Sequence, residues 1–139
     1  MITKRGCGMV TVGKLTEEAA DHWIPIVNGE YELTDKNHLT KEYFRQIAPM
    51  CDFVETDKYY FITIYGYDMW GNSSITVMSW YILPEYRTLC TIKQLQREII
   101  ELAKMKNVRY IYQGSHLNDK ILSLLGRMGY KTQQMVLEV

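Results

Sequence analysis

The sequence of 139 residues has no excess of charge of either sign, since 16 Lys and Arg balance 16 Asp and Glu. A balanced charge disfavours proteins that bind nucleic acid through bulk electrostatics, so we predict no nucleic-acid partner. No apolar run approaches the ~20 residues that a membrane helix needs. The N-terminal residues also lack the apolar stretch that follows the basic pair of a secretory signal. We therefore expect no association with a membrane.

Cysteine and histidine are scarce and widely spaced. The sequence has three cysteines, Cys7, Cys51 and Cys90, and three histidines, His22, His38 and His116. An odd number of cysteines without a Cys-x-x-Cys pair favours free thiols in a reducing compartment, which predicts a cytoplasmic protein. The histidines have no metal-ligand spacing, so no metal site is predicted. A Cys–His nucleophilic pair stays open, because such residues meet in space rather than in sequence.

Length and composition are those of one ordinary globular domain. Apolar residues make up 47% of the chain and charged residues 23%, which is close to typical values. We predict a single domain over residues 1–139. Residues 1–70 contain 7 basic and 11 acidic side chains, a net charge of −4, and residues 71–139 contain 9 and 5, a net charge of +4. This asymmetry favours the second half as host of an anionic ligand, with uneven surface scatter as the alternative.

The first 30 residues predict a strand and a helix. Met9–Val12 is typical of a short strand. Thr16 can cap a helix over Glu17–Ile24, and the acidic residues of its first turn suit the helix dipole. We expect Pro25 to end or kink this helix, and Asn28-Gly29 to form a turn.

A second helix and a group of strands follow. The helix is predicted over Lys41–Ala48, opened by Thr40 and ended by Pro49. Three segments rich in aromatic and β-branched residues then predict an antiparallel meander, namely Cys51–Glu55, Tyr59–Tyr67 and Ser74–Leu83.

The third helix has the clearest pattern. Thr91–Gln94 has the form of a capping box. The apolar stripe that follows consists of Ile92, Leu95, Ile99, Leu102 and Ala103. Asn107 is expected to end this helix, and Val108–Tyr112 predicts a fifth strand. Strand, helix and strand in this order form a crossover unit, so the fourth and fifth strands are predicted to be parallel.

The last elements are a helix and a strand. The helix begins at Asn118 or Asp119, and Gly129 suits its left-handed cap. Its predicted inward residues are Ile121, Leu122, Leu125 and Met128. Thr132–Val139 predicts a final strand. The predicted order is β-α-α-β-β-β-α-β-α-β, an α/β domain with a mixed sheet.

One segment suits a ligand. Ile82–Ile92 joins a strand directly to a helix N-terminus, where backbone amides lack internal partners and the helix dipole is positive. A diphosphate fits such a place, with Arg87 as a charged donor. The alternative is an ordinary strand-to-helix turn with Arg87 in solvent.

Two motifs resemble those of a known family. The strand, Pro84-Glu85-Tyr86-Arg87 and the helix after it resemble the coenzyme A segment of the GNAT superfamily of acetyl-CoA-dependent N-acyltransferases. Asn118 to Gly129-Tyr130 is similar to the family's Asn-x-x-Ala-x-x-x-Tyr-x-x-x-Gly-Phe pattern, without a gap. The match covers residues 74–130. This variant looks most like the small acetyltransferase-like proteins of tailed bacteriophages, which implies a viral protein of the host cytoplasm or the virion.

The resemblance implies acetyl-CoA as the cofactor and an amine as the acceptor. It implies that the fourth and fifth strands splay apart at their C-terminal ends and admit pantetheine. It also implies a set of cofactor-binding residues, namely Tyr81, Ile82, Leu83, Arg87, Thr88, Leu89, Cys90, Thr91, Ile92 and Asn118. The main chain near Tyr81 would pair with pantetheine, and the amides from Thr88 to Ile92 would receive the pyrophosphate.

The sequence departs from the family at two features. These are the glycines of the phosphate loop and the catalytic residues that transfer protons. Cys90 and Ile92 stand at the two glycine positions of the phosphate loop, where glycine allows close approach. Leu125 stands where the family often has a tyrosine acid, and no Asp or Glu lies between Ser74 and Leu83. Three substitutes are candidate catalytic residues, Tyr81, Tyr112 and His116. The alternatives are that the tyrosines pack in the sheet and that the histidine is solvated.

Two functions follow from this pattern. The first is an N-acetyltransferase that moves an acetyl group from acetyl-CoA to an amine. The second is a non-catalytic protein of the same fold, such as a phage particle component or an effector that binds a host protein. Three Trp, eleven Tyr and eight Met would supply an adhesive surface for a protein partner, a homo-oligomer or a larger assembly if they are exposed.

Overall fold

In the computed structural model of the protein, the described residues are 2–5, 8–30, 38–113, 119–131 and 137. Their helices and strands are, in chain order, β1 (Ile2–Arg5), β2 (Gly8–Gly13), α1 (Glu17–Glu30), α2 (Lys41–Ile47), β3 (Cys51–Glu55), β4 (Tyr59–Tyr67), β5 (Ser73–Ile82), α3 (Leu89–Met105), β6 (Tyr110–Gln113) and α4 (Asp119–Arg127). Over these residues the strands form one sheet in the order β1-β2-β3-β4-β5-β6. All neighbours are antiparallel except β5 and β6, which are parallel.

The predicted mixed α/β sheet is therefore confirmed, and the parallel pair is the predicted one. Strand β1 is an addition, because its short polar sequence has no alternation that would predict a strand. The predicted last strand, Thr132–Val139, lies outside the described residues apart from Leu137. Among the described helices, none combines the length and the apolar character that crossing a bilayer requires.

Helices cover the sheet on both faces. On one face α3 packs on a cluster of sheet residues that includes Phe61, Ile75 and Val77. On the other face α1 and α2 pack on a cluster that includes Phe53, Tyr60 and Tyr81. The side chains of successive strand residues point to opposite faces, so neighbours such as Tyr60 and Phe61 belong to different clusters. These α3-side and α1/α2-side clusters form the two halves of the core.

Helix α1 is longer than predicted. Thr16 caps it as expected, with its Oγ1 accepting from the Ala19 N–H at 3.1 Å. The helix then continues through Pro25 to Glu30, so the predicted end at this proline is wrong. The cost of a helical proline is about 3 kcal/mol, and burial of Trp23 and Val27 on either side of it offsets this cost.

The predicted turn at Asn28-Gly29 is also wrong, because both residues lie in α1. The Asn28 side chain instead pairs with the backbone before α2. Its Nδ2 donates to the Leu39 carbonyl at 2.9 Å, and its Oδ1 accepts from the Leu39 N–H at 3.0 Å. A side chain that often closes turns here connects two helices.

Helix α2 agrees with its prediction to within one residue. Thr40 caps it through a 3.1 Å hydrogen bond from the Tyr43 N–H. The two helices are joined by Glu17, which accepts from Arg45 Nε at 2.8 Å and lies 2.9 Å from Lys41 Nζ. Hydrogen bonds from Arg45 and then Lys41 lower the pKa of Glu17 to about 2.

Helix α4 differs from its prediction in the residues that it buries. Leu124 and Leu125 are buried, whereas Leu122 and Met128 are exposed. Of the predicted inward residues, only Leu125 is thus fully buried. Gly129 has a φ of 103°, the left-handed conformation predicted for this cap.

Candidate functional site

Strand β5 pairs with its parallel partner β6 over the described part of that strand. The pairs run from Ser74, opposite Tyr110, to Val77, opposite Gln113. Strand β5 continues beside β4 to Ile82. The predicted separation of the two strands concerns residues after Gln113, which lie outside the described residues, so it stays a prediction.

A β-bulge follows the last described pair of β5 with β6. Ile62 is opposite Ser79 and Thr63 is opposite Val77, so Met78 is an extra residue on β5. The extra residue reverses which side chains face which helix layer. Before it, Val77 packs on the α3 side, and after it Tyr81 packs on the α1/α2 side. The Ser79 Oγ on this segment is buried and has no hydrogen-bond partner in the described part of the chain.

The turn after β5 leads directly into α3. The Leu83 N–H donates to the Lys58 carbonyl at 2.9 Å, and Pro84–Tyr86 forms one 3-10 turn. Helix α3 then begins at Leu89, with Thr88 as its N-cap. Because Thr88 Oγ1 accepts from the Thr91 N–H at 3.2 Å, the predicted capping box at Thr91 is wrong. Helix α3 starts almost one turn earlier than predicted.

The amides of this turn are partly engaged. The Thr88 N–H donates to the Tyr86 carbonyl at 2.8 Å, and the Ile92 N–H donates to the Thr88 carbonyl at 3.0 Å. The amides of Leu89 and Cys90 have no acceptor within the described ranges. Two neighbouring donors at the positive end of a 17-residue helix therefore remain available to an anion.

The two residues at the glycine positions leave these donors accessible. Both lie in the first turns of α3, so the backbone there is helical. Cys90 is exposed. Ile92 is partly buried and packs against the α3-side cluster. Its branched side chain is thus part of the core.

Arg87 contacts a carboxylate that the sequence did not indicate. Its Nη1 pairs with Glu30 Oε1, and its Nη2 donates to Glu30 Oε2 at 2.6 Å. Its Nε donates to the Ile82 carbonyl at 2.9 Å. The Tyr81 hydroxyl donates to Glu30 Oε2, the oxygen that also accepts from Arg87 Nη2. Arg87, Glu30 and Tyr81 therefore form one polar group, here called the Arg87 cluster, which joins the end of α1 to the turn before α3.

The aromatic rings around the Arg87 cluster hold it in place. The Arg87 guanidinium lies 5.2 Å from the centroid of the Tyr81 ring. That ring stacks on Tyr60 at 6.2 Å and meets the Trp23 ring edge-on at 6.2 Å. The hydrogen bond from Arg87 is the main cause of a lowered pKa of Glu30, so this carboxylate is ionised at neutral pH.

The candidate catalytic residues are not all brought together. Tyr112 is opposite Thr76 and lies on the same face as Tyr81, since its neighbour Ile111 packs on the α3 side. About 15 Å of strand separates the positions of Thr76 and Tyr81. His116 and the candidate cofactor residue Asn118 lie outside the described residues.

A carboxylate from outside β5 reaches the end of this strand. Leu125, at the position of the family's tyrosine, is buried and has no proton to donate. Glu30 is the carboxylate that contacts β5 through Tyr81. Sequence reasoning missed Glu30 because 51 residues separate it from Tyr81 and no local pattern links them. Glu30 is the last residue of α1, and the last turn of that helix has no basic residue. This is the one signal in the sequence that the carboxylate pairs with a distant residue.

Comparison with solved structures identifies the fold. The chain matches a transcriptional regulator from Bacillus halodurans C-125 with a TM-score of 0.71 and 15% identity, covering 94% of this chain and 98% of that chain. It matches a ribosomal-protein-alanine N-acetyltransferase from Brucella melitensis biovar Abortus 2308 with a TM-score of 0.70 and 10% identity, covering 94% and 97%.

A third match has a ligand. AAC(6')-Iy, in complex with the bisubstrate analogue CoA-S-monomethyl-acetylneamine, has a TM-score of 0.63 and 14% identity, with coverage of 94% and 96%. No protein-family model matches the sequence, and no curated protein matches it significantly. At these identities the likeness establishes the fold, which is the GNAT fold of acetyltransferases.

Proposed function

We propose that the protein is an N-acetyltransferase that moves an acetyl group from acetyl-CoA to an amine. One observation carries this proposal: β5 runs through a single 3-10 turn into a helix N-terminus where the amides of Leu89 and Cys90 have no acceptor within the described residues. These amides are donors of the kind that bind a diphosphate. The likeness to acetyltransferase structures over 94% of the chain supports the same conclusion.

The residues present suit the coenzyme. The amides of Leu89 and Cys90 would bind the diphosphate, and Arg87 would add a charged donor. The edge of β5 from Tyr81 to Leu83 would pair with pantetheine, and the unpartnered Ser79 Oγ offers a further polar contact. The amides of Thr88, Thr91 and Ile92 belong to the same turn but already have acceptors in the protein. Asn118 stays in the proposal as a contact of the pantetheine region.

Acetyl-CoA supplies an activated thioester. In the transfer, the amine nitrogen bonds to the acetyl carbon, the carbon–sulfur bond breaks, and the coenzyme leaves as a thiolate. The amine loses one proton to a base, and the thiolate gains one from an acid. Tyr81, Tyr112 and His116 are the proposed groups for these protons. The chain's main contribution is to hold the two reactants together, because proximity supplies much of the rate.

Calorimetry with coenzyme A tests the binding part of the proposal. We expect one site per chain with a Kd in the micromolar range, weakened at least tenfold by Arg87→Ala. Arg97→Ala is the control, since Arg97 is exposed elsewhere on α3. No detectable binding at millimolar coenzyme A would refute the proposal.

An acetylation assay over a panel of amines tests the chemistry. Polyamines and lysine peptides come first, because the acidic half of the sequence suits a cationic acceptor. Tyr81→Phe, Tyr112→Phe and His116→Ala then assign the proton transfers, since the residue that acts should lower kcat by about 10²-fold or more. A full rate in all three variants would exclude these residues.

A second candidate function, a non-catalytic interaction protein, is favoured by one surface. The β4–β5 hairpin exposes Tyr67, Met69 and Trp70, with Met69 85% and Trp70 78% exposed. Large exposed apolar side chains are typical of interaction sites. We expect Trp70→Ala to leave coenzyme binding unchanged, and a chain that binds a protein but no coenzyme A would fit this candidate instead.

The source and assembly of the protein belong to the same proposal. The resemblance to phage acetyltransferase-like proteins supports a viral origin, with the host cytoplasm or the virion as its location. A homo-oligomer or a larger assembly would use the exposed hairpin. Light scattering on the purified chain, with Trp70→Ala as the comparison, measures the oligomer directly.

A further inference from the structure

The Arg87 guanidinium is already bound by the protein. Both terminal nitrogens contact the Glu30 carboxylate, and its Nε contacts the Ile82 carbonyl. A guanidinium presents the same fork to a carboxylate and to a phosphate, so one arginine cannot fully satisfy both. A diphosphate at the start of α3 therefore meets an arginine whose charge is already neutralised.

We propose that Glu30 is an internal competitor that sets the affinity of this site for its anionic ligand. The inference rests on the proposed function. In the free protein Glu30 binds Arg87. When a diphosphate binds, it displaces the Glu30 carboxylate from the Arg87 guanidinium. Glu30 is then an affinity-determining residue of the site without contacting the ligand.

The position of Glu30 favours such an exchange. It is the last residue of α1, where the negative end of the helix dipole disfavours a carboxylate, and no basic residue lies in that last turn. The ion pair is partly exposed, with the Arg87 side chain 37% and the Glu30 side chain 23% accessible. Water weakens ion pairs of this kind, so a ligand with two or more negative charges can replace the carboxylate.

Tyr81 gives Glu30 a partner when Arg87 leaves. Its hydroxyl donates to Glu30 Oε2, the oxygen that also accepts from Arg87 Nη2. A released carboxylate thus keeps one hydrogen bond and gains contact with water, which lowers the cost of the exchange. The alternative is a purely structural pair, whose loss would weaken folding and ligand binding together.

Calorimetry on a small set of variants separates these cases. The probes are coenzyme A and adenosine 3'-phosphate 5'-diphosphate, which has the anionic groups of coenzyme A without pantetheine. We expect Glu30→Gln to tighten both ligands about fivefold to tenfold. Glu85→Gln is the matched control, because Glu85 is an exposed acid of the same turn and removing it changes the local charge equally. We expect Glu85→Gln to change the Kd less than twofold.

The double variant Glu30→Gln/Arg87→Ala tests the route of the effect. If Glu30 acts through Arg87, the gain from Glu30→Gln disappears when Arg87 is absent. An equal gain without Arg87, or an equal gain from Glu85→Gln, overturns the proposal because either result indicates a general charge effect. If the wild type binds coenzyme A and Glu30→Gln binds it with the same or a weaker affinity, the proposal is also overturned.

If the proposed function is wrong, the calorimetry gives a different result. In that case neither the wild type nor Glu30→Gln binds coenzyme A at millimolar concentration. If Glu30→Gln does not fold, Glu30→Asp provides the test, since the shorter side chain keeps the charge but loses reach to Arg87. We expect Glu30→Asp to bind two to three times more tightly than the wild type, and binding no tighter than the wild type would overturn the inference.

Discussion

Ile75 and Tyr81 lie on the same strand, six residues apart, and pack on opposite faces of the sheet. In a regular strand an even separation places two side chains on the same face. The bulge at Met78 supplies the extra residue that changes this. Because the bulge takes Met78 out of the alternation, Tyr81 faces Glu30 and Arg87 on the α1/α2 side.

Deleting Met78 should convert the bulge into a regular strand without turning any core residue over. Ser79 would then follow Val77 directly, so Ser79 and Tyr81 would stay on the α1/α2 side and Trp80 and Ile82 on the α3 side. We expect the deletion variant to keep cooperative thermal unfolding, measured by circular dichroism. Met78→Ala is the control, because that side chain is 38% exposed and its loss should cost less than about 1 kcal/mol. Loss of cooperative unfolding in the deletion variant would show that the bulge itself is required.

Thr88 should contribute to stability as the cap of α3. Its Oγ1 accepts from the Thr91 N–H, so Thr88→Ala should cost about 1 kcal/mol in the free energy of unfolding. Thr88→Ser keeps the hydroxyl and should cost less. Gln94→Ala separates this cap from a capping box at Thr91, since only the box would make that change destabilising. Urea unfolding measures all three, and equal losses in Thr88→Ala and Gln94→Ala would contradict the structure.

Glu17 should stabilise the protein in a pH-dependent way. Its hydrogen bonds to Arg45 and Lys41 lower its pKa from 4.5 to about 2. A carboxyl with a lowered folded pKa stabilises fully above its unfolded pKa and loses this effect as the pH falls through the folded pKa. The difference in urea midpoint between the wild type and Glu17→Gln should thus be constant above pH 6 and shrink towards pH 2.

The control for this titration is Glu18→Gln, a change of equal charge in the same exposed first turn. Glu18 has no ion pair within the described residues, so its midpoint difference should be smaller. A difference for Glu17→Gln that grows as the pH falls would contradict the prediction.

Leu125 should not accept the tyrosine that its position suggests. Because the side chain is 4% exposed, the larger ring of Leu125→Tyr should overpack the site and cost about 1–3 kcal/mol. Leu122→Tyr is the matched control on the same helix, where the leucine is 38% exposed. Thermal unfolding compares the two, and an undisturbed Leu125→Tyr variant would show that the site has room for a phenol.

The sequence predicted the elements whose signals are local. β3 and β4 begin and end at the predicted residues, because alternating aromatic and β-branched residues determine them. The caps at Thr16 and Thr40 are also local, and both are confirmed.

The errors concern features that depend on packing. Pro25 is a local stop signal, and the burial of Trp23 and Val27 outweighs it. Two threonines compete to cap α3, and the cap is Thr88, two residues after the 3-10 turn of Pro84–Tyr86. The ion pair between Glu30 and Arg87 spans 57 residues, so only the fold brings the two together.

Trp23 packs beside the Arg87 cluster, so tryptophan fluorescence can report on this site. Trp23 is 1% exposed and meets Tyr81, whereas Trp70 is 78% exposed on the far hairpin. An indole among apolar neighbours emits at shorter wavelength than one in water, so the two give separable fluorescence signals. Replacing Trp70 and Trp80 by phenylalanine would leave Trp23 as the single fluorescent indole. Its emission would then report the release of Arg87 from Glu30.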